Sequence, residues 1–146
     1  MRAVVLTEYG SLDDLKLTEF PDPVPGPDDI IVDVRATAVN YVDLVLIGGT
    51  YQFRHDVPFV PGKGPAGVVS AVGPNVSDFA PGDRVLAMAE QGGYAELTPI
   101  HRNNCYRLPD TLSFTDAASM ALVYDTAWFS LVERGRFEEG ESVLIL

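Results

Sequence analysis

Across residues 30–39 apolar and polar side chains alternate: Ile30, Val32, Val34, Ala36 and Ala38 share one side, while Asp33, Arg35 and Thr37 share the other. A period of two is the signature of a strand with one buried face. Residues 2–7, 15–20, 68–72, 84–89, 93–97 and 105–108 are short runs rich in Val, Leu, Ile and aromatics, and they read as further strands. Turn residues punctuate them: Pro74-Asn75 and Pro81-Gly82-Asp83 in particular. Pro21, Pro23, Pro25 and Pro27 make an extended connector that no helix can enter. Many short strands separated by turns predict a β-barrel or sandwich.

Two stretches break that rhythm. Over residues 40–47, Val42, Val45 and Leu46 are close to helical spacing, and Gly48-Gly49 ends the run, so a short helix with Asn40 at its N-cap is predicted. Ser113-Phe114-Thr115-Asp116 resembles a capping box with Asp in place of Glu or Gln. It opens a helical region over about residues 116–133, in one piece or two, with Gly135 as its stop. Last, Val143-Leu144-Ile145-Leu146 is continuously apolar, as in a strand buried on both faces of a parallel sheet. Such a strand needs a crossover helix and neighbours, and the sequence stops where those would begin. The chain is therefore expected to be the N-terminal piece of a longer protein.

Gly62, Gly64 and Gly67 have the spacing of the dinucleotide-binding fingerprint. That fingerprint needs a helix leaving the glycines, so that the helix N-terminus meets the pyrophosphate. Here Val68 to Val72 leave them and read as a strand, and Pro65 removes an N–H from the loop. The stretch is a glycine-rich turn feeding a strand.

Composition narrows the partners. The chain has 146 residues, 47% of them hydrophobic and 21% charged, a mix that suits a globular domain with a core of its own. Ten Lys and Arg against 21 Asp and Glu leave a net charge of −11, which argues against nucleic acid and anionic membrane surfaces as partners. No apolar run reaches the roughly 20 residues of a membrane span. Charge at Glu8 interrupts the strand-like start, so no signal peptide is read there. Cys105 is the only cysteine, which fits a reducing cytoplasm. His55 and His101 have no ligand-like spacing, and Cys105 has no neighbouring His, so it is read as a buried structural thiol.

Taken in order, Ala38-Val39-Asn40-Tyr41-Val42-Asp43, Gly49-Thr50-Tyr51, Pro58-Phe59-Val60-Pro61-Gly62, Ala66-Gly67-Val68-Val69 and Phe79-Ala80-Pro81-Gly82-Asp83-Arg84-Val85 form a pattern. Gly92-Gly93-Tyr94-Ala95-Glu96, Ala117-Ala118, Thr126-Ala127 and Gly140-Glu141-Ser142-Val143-Leu144 continue it. The set resembles the medium-chain dehydrogenase/reductase superfamily, specifically its zinc-independent quinone oxidoreductase branch. The resemblance implies a mainly β fold: a GroES-like, partly open β-barrel with a few short helices, ending in the first strand of a missing Rossmann domain. Residues 1–112 would be the GroES-like catalytic domain, and residues 113–146 a helical connector with that first strand. It further implies an NADPH-dependent enzyme passing hydride to a quinone or conjugated carbonyl, with the nucleotide held mainly by a domain beyond Leu146. The full-length protein would be a homodimer. An enoyl-thioester or polyketide-type enoyl reductase is the alternative within enzymes, and a non-catalytic GroES-like binding module is the alternative outside them.

The resemblance also supplies candidate residues. Where zinc-dependent relatives place a Cys and a Gly-His-Glu, this chain has Asn40, Lys63 and Gly64, so no zinc is expected. Asn40 either caps its helix or lies near the nicotinamide, and Asp43 is either a first-turn acid or a catalytic one. Tyr51 either stacks in a quinone cleft or packs in its loop. Thr126 faces the nicotinamide ring by resemblance; otherwise its hydroxyl bonds back to its own helix. Asp125 beside it caps a second helix or faces a cleft. Glu is usual in the family where Gly64 stands, and the roles of Lys63 and Gly64 are open.

Overall fold

A computed structural model of the chain describes residues 1–145. Strands β1 (Arg2–Leu6) and β2 (Leu15–Glu19) form an antiparallel hairpin. A tight turn at Leu12–Asp14 closes it, with Asp14 accepting from the Ser11 N–H at 3.0 Å. The second sheet has five antiparallel strands in the order β6-β3-β4-β5-β7. These are β3 (Asp29–Ala36), β4 (Ala66–Val72), β5 (Arg84–Ala87), β6 (Leu97–His101) and β7 (Cys105–Arg107). Bridges from Ala3 to Ala95 and from Leu6 to Phe59 tie β1 to loops outside the second sheet, and the structure stops short of a closed barrel.

The alternation in β3 has the expected use. Ile30 and Val32 are fully buried with Val69, Val85, Ile100 and Cys105 in the main core. Each such side chain contributes roughly 1.5–3 kcal/mol on burial. Ile31, on the opposite face, is buried as well, so the start of β3 is covered on both sides rather than one.

One predicted strand is displaced. Residues 93–96 carry a turn, and the strand starts four residues later than expected, at Leu97–His101. Gly92 has φ of +91°, which turns the chain just before those residues. Pro99 sits inside β6 opposite Ile31; this is tolerated because β6 is an edge strand, where a missing N–H costs no ladder bond on the open side.

Helix α1 (Tyr41–Ile47) follows the predicted bounds and packs Leu46 and Ile47 against Leu6 and Phe59. Helix α2 (Phe114–Trp128) starts where the capping residue predicts, since Ser113 Oγ accepts from the Asp116 N–H at 3.0 Å. It widens into a π-helical segment, Phe129–Arg134, and ends at Gly135. Ala117 and Ala118 are buried against Ala66, so α2 lies close to β4 through small side chains. The strand expected over residues 143–146 is not formed at Val143 to Ile145, where Leu144 is 82% and Ile145 87% exposed, and Leu146 lies outside the described residues. A strand of this composition forms only when neighbours cover it. No helix of the described residues is long and apolar enough to cross a membrane.

Candidate functional site

The Pro-Gly-Lys-Gly-Pro-Ala-Gly segment is buried throughout, from Pro61 to Gly67. It runs directly into β4, with no helix leaving it. Its glycines are there for packing. Gly62 has φ of +95°, and a Cβ on it would come within 2.6 Å of the Tyr94 ring. Gly64 has φ of +65°, and a Cβ there would lie 2.9 Å from Ala121 on α2. The Gly93 N–H donates to the Gly62 carbonyl at 2.9 Å, and the Tyr94 N–H to that of Pro61 at 3.0 Å. The turn is thus held between the 92–94 loop and α2.

This turn carries Lys63 into the interior, where the residue is 4% exposed. Its Nζ donates to the Tyr51 hydroxyl at 3.1 Å, forms an ion pair with the Glu90 carboxylate, and lies 4.3 Å from the centre of the Tyr51 ring. Burial works against the charge on Lys63, but the hydrogen bonds to Glu90 and Tyr51 outweigh it and raise the pKa above the ordinary lysine value. Lys63 and Glu90 border a cavity of about 80 Å³ with Gly64, Met88, Ala121 and Leu122. Met88 and Ala121 also border a larger groove of about 470 Å³, walled by Tyr106, Tyr124, Asp125 and Trp128. Asp125 therefore faces a groove. The sequence left Lys63 without a role; its one signal was a lysine set among prolines and glycines in a motif-rich stretch.

Across the turn lies a second polar pair. Asp43 is 2% exposed, and its Oδ2 accepts from the Asn40 N–H at 2.8 Å and from the Tyr94 hydroxyl at 2.8 Å. Burial, then the hydrogen bond to Asp43 and the charge of Asp43, push the Tyr94 pKa well above the ordinary tyrosine value. Two atoms here have no partner: Asp43 Oδ1 and Asn40 Nδ2, both buried. Asp43 is thus both a first-turn acid and the anchor of Tyr94, which the sequence alone did not show.

The remaining candidates divide. Tyr51 packs against the cluster of Leu6, Leu46, Ile47 and Phe59 and also holds Lys63, so it belongs to both the packing and the polar centre. Thr126 is exposed on α2, and its Oγ1 donates to the Leu122 carbonyl at 2.7 Å. Leu122 is itself part of the cavity wall beside Lys63, so Thr126 lies one helical turn further along the same helix. Among the described residues, no group of three or more His, Cys, Asp or Glu side chains could hold a metal ion. His101 Nδ1 accepts from the Asn103 N–H at 3.2 Å, and His55 stacks at 5.1 Å from Phe59.

An open five-stranded antiparallel sheet joined to a hairpin, with a short capped helix between β3 and β4, defines a GroES-like domain. The chain belongs to the alcohol dehydrogenase GroES-like domain family, whose sequence profile matches residues 26–110. It is 37% identical to human "Quinone oxidoreductase" over 99% of its own length and 45% of that protein's. Among solved structures, human synaptic vesicle membrane protein VAT-1 homolog-like protein superposes with a TM-score of 0.91 at 34% identity, over 96% of this chain and 45% of that one. Escherichia coli quinone oxidoreductase complexed with NADPH superposes with a TM-score of 0.86 at 28% identity, over 94% of this chain and 42% of that one. The chain thus spans about half the length of the relatives it matches.

Proposed function

We propose that this chain is the N-terminal catalytic part of an NADPH-dependent, zinc-independent oxidoreductase that reduces a quinone or a conjugated carbonyl. The observation that carries this reading is the likeness to a quinone oxidoreductase along 99% of the chain. Residues 1–112 serve as the GroES-like catalytic domain, and residues 113–146 lead into a nucleotide-binding domain. The homodimer and the cytoplasmic setting rest on the resemblance and on the single cysteine.

The residues present fit a nicotinamide dinucleotide in one respect that the structure itself offers. Asn40 Nδ2 is a buried donor without a partner, and such an atom is costly unless a ligand oxygen reaches it. Asn40 and Thr126 would hold the nicotinamide end, and bound NADPH supplies the hydride. The protein's part is positioning, for which the open groove walled by Tyr106, Tyr124 and Trp128 offers aromatic faces. Zinc independence is supported by residue chemistry: Lys63, held protonated between Glu90 and Tyr51, offers no lone pair to a metal.

The test is NADPH oxidation by the protein in which this chain is joined to its nucleotide-binding domain. Benzoquinone, an enone and an enoyl thioester are supplied in turn. Turnover with the first two supports the proposal; turnover with the thioester alone gives the enoyl reductase alternative. No oxidation with any acceptor leaves a non-catalytic module.

A further inference from the structure

Lysine ammonium groups carry three N–H donors, and Lys63 uses two of them within the protein, on Tyr51 and Glu90. No other acceptor reaches its Nζ among the described residues. The third donor belongs to a charge that is largely withdrawn from water, since the side chain is only 5% exposed. The adjoining cavity of about 80 Å³ exceeds the one-probe volume that a single water needs. Its other walls are apolar or small: Gly64, Met88, Ala89, Ala121 and Leu122. It is therefore a pocket with one cation, one carboxylate and little else to satisfy an incoming polar atom. The pocket shares Met88 and Ala121 with the aromatic groove, so a planar molecule in the groove would lie beside the pocket that Lys63 lines.

We propose that Lys63 is the acceptor-oxygen site of this protein: its ammonium, oriented by Tyr51 and Glu90, binds the carbonyl oxygen of the substrate and protonates it during reduction. The inference rests on the reductase reading above and names a catalytic residue for it. For a conjugated carbonyl, reduced nicotinamide bound beside it would supply a hydride to the substrate's β-carbon. The π electrons of the carbon–carbon double bond move toward oxygen, which forms an O–H bond as a Lys63 N–H bond breaks. The products are the enol, which tautomerises to the saturated carbonyl, and NADP⁺. Lys63, left as the neutral amine, regains its proton from water, which has access at Glu90, a carboxylate 56% exposed. Preorganised positive charge at the developing oxyanion lowers the barrier in the same way as other fixed donors do.

Lys16 and Lys63 are the only lysines in the chain, which makes the test direct. The chain is prepared with isotope-labelled lysine and titrated with para-nitrophenolate, an anionic oxygen on a conjugated ring that imitates the enolate. The side-chain resonance of Lys63 should shift and saturate, while that of Lys16, on the exposed strand β2, stays in place. Lys63→Met should weaken binding by about tenfold or more, the loss of one charge-assisted hydrogen bond. Tyr51→Phe keeps the ring and removes one orienting contact; it should weaken binding less than Lys63→Met does. If Lys63→Met fails to fold, as judged by circular dichroism, the resonance shifts in the wild type and in Tyr51→Phe decide. Equal shifts at both lysines, no shift at either, or unchanged affinity in a folded Lys63→Met overturns the inference. The titration needs neither nucleotide nor turnover. An active full-length enzyme with an unresponsive Lys63 therefore removes this inference and leaves the reductase reading standing.

Discussion

The Tyr94 hydroxyl donates to Asp43 Oδ2 at 2.8 Å, tying the loop after β5 to the first turn of α1 across 51 positions of sequence. Asp43 is buried and Tyr94 half-buried, and the bond helps make the burial of Asp43 tolerable. Tyr94→Phe should destabilise the chain by about 1–3 kcal/mol, because Asp43 would keep only the Asn40 N–H. A urea unfolding series compares the two midpoints. An unchanged midpoint would show that Asp43 does not depend on Tyr94.

Gly62 and Gly82 make a matched pair for the cost of a side chain. Their φ angles are +95° and +99°, but a Cβ on Gly62 meets Tyr94 at 2.6 Å while one on Gly82 meets nothing within 4 Å. Gly82→Ala should therefore lose about 1 kcal/mol from backbone strain alone. Gly62→Ala should lose at least about 3 kcal/mol, since overpacking adds to the same strain. Thermal unfolding of both variants measures the difference. Equal losses would mean that the turn can move away from Tyr94.

Alkali should unfold the chain progressively. Burial pushes the Cys105 thiol up to about 12 from 9.0, and both Tyr94 and Lys63 are raised from 10.0 and 10.5. In each case the folded state holds a proton that the unfolded state releases first, so stability falls as pH rises. The loss begins near pH 9 with Cys105 and continues through the tyrosine and lysine ranges. Each group adds a slope of up to about 1.4 kcal/mol per pH unit. Urea midpoints measured at rising pH should fall, and fall less steeply in Tyr94→Phe. A flat profile would contradict these shifts.

Cys105 is buried in the main core, and its thiol donates to the His101 carbonyl at 3.8 Å. The thiolate is the reactive form, so the native chain should resist iodoacetamide near neutral pH and react fully once unfolded in urea. Labelling followed by mass measurement counts the modified fraction. Rapid reaction of the folded chain would place Cys105 nearer the surface than it is found.

Much of the fold could be read from local pattern. The alternation over residues 30–39, the glycines after Ile47 and the Ser113 cap each fix a backbone state through interactions within a few residues. The strand expected over residues 93–97 lies instead at Leu97–His101 and contains Pro99, which the edge position of β6 in the sheet makes harmless. Of the candidate residues, Asn40 was legible as a helix start, but its unpartnered side-chain nitrogen was not.

The sequence by itself determined the mainly β class, the bounds of α1, the start of α2 and the use of Pro61 to Gly67 as a turn rather than a phosphate loop. Periodicity, capping and the conformational freedom of glycine act over one or two turns of chain, so no distant residue was needed. Tertiary structure alone decided the polar centre. Lys63 finds Tyr51 at 12 positions and Glu90 at 27, and Tyr94 finds Asp43 at 51. A buried charge is tolerated only where partners arrive from elsewhere in the chain, and no local pattern records where they will come from.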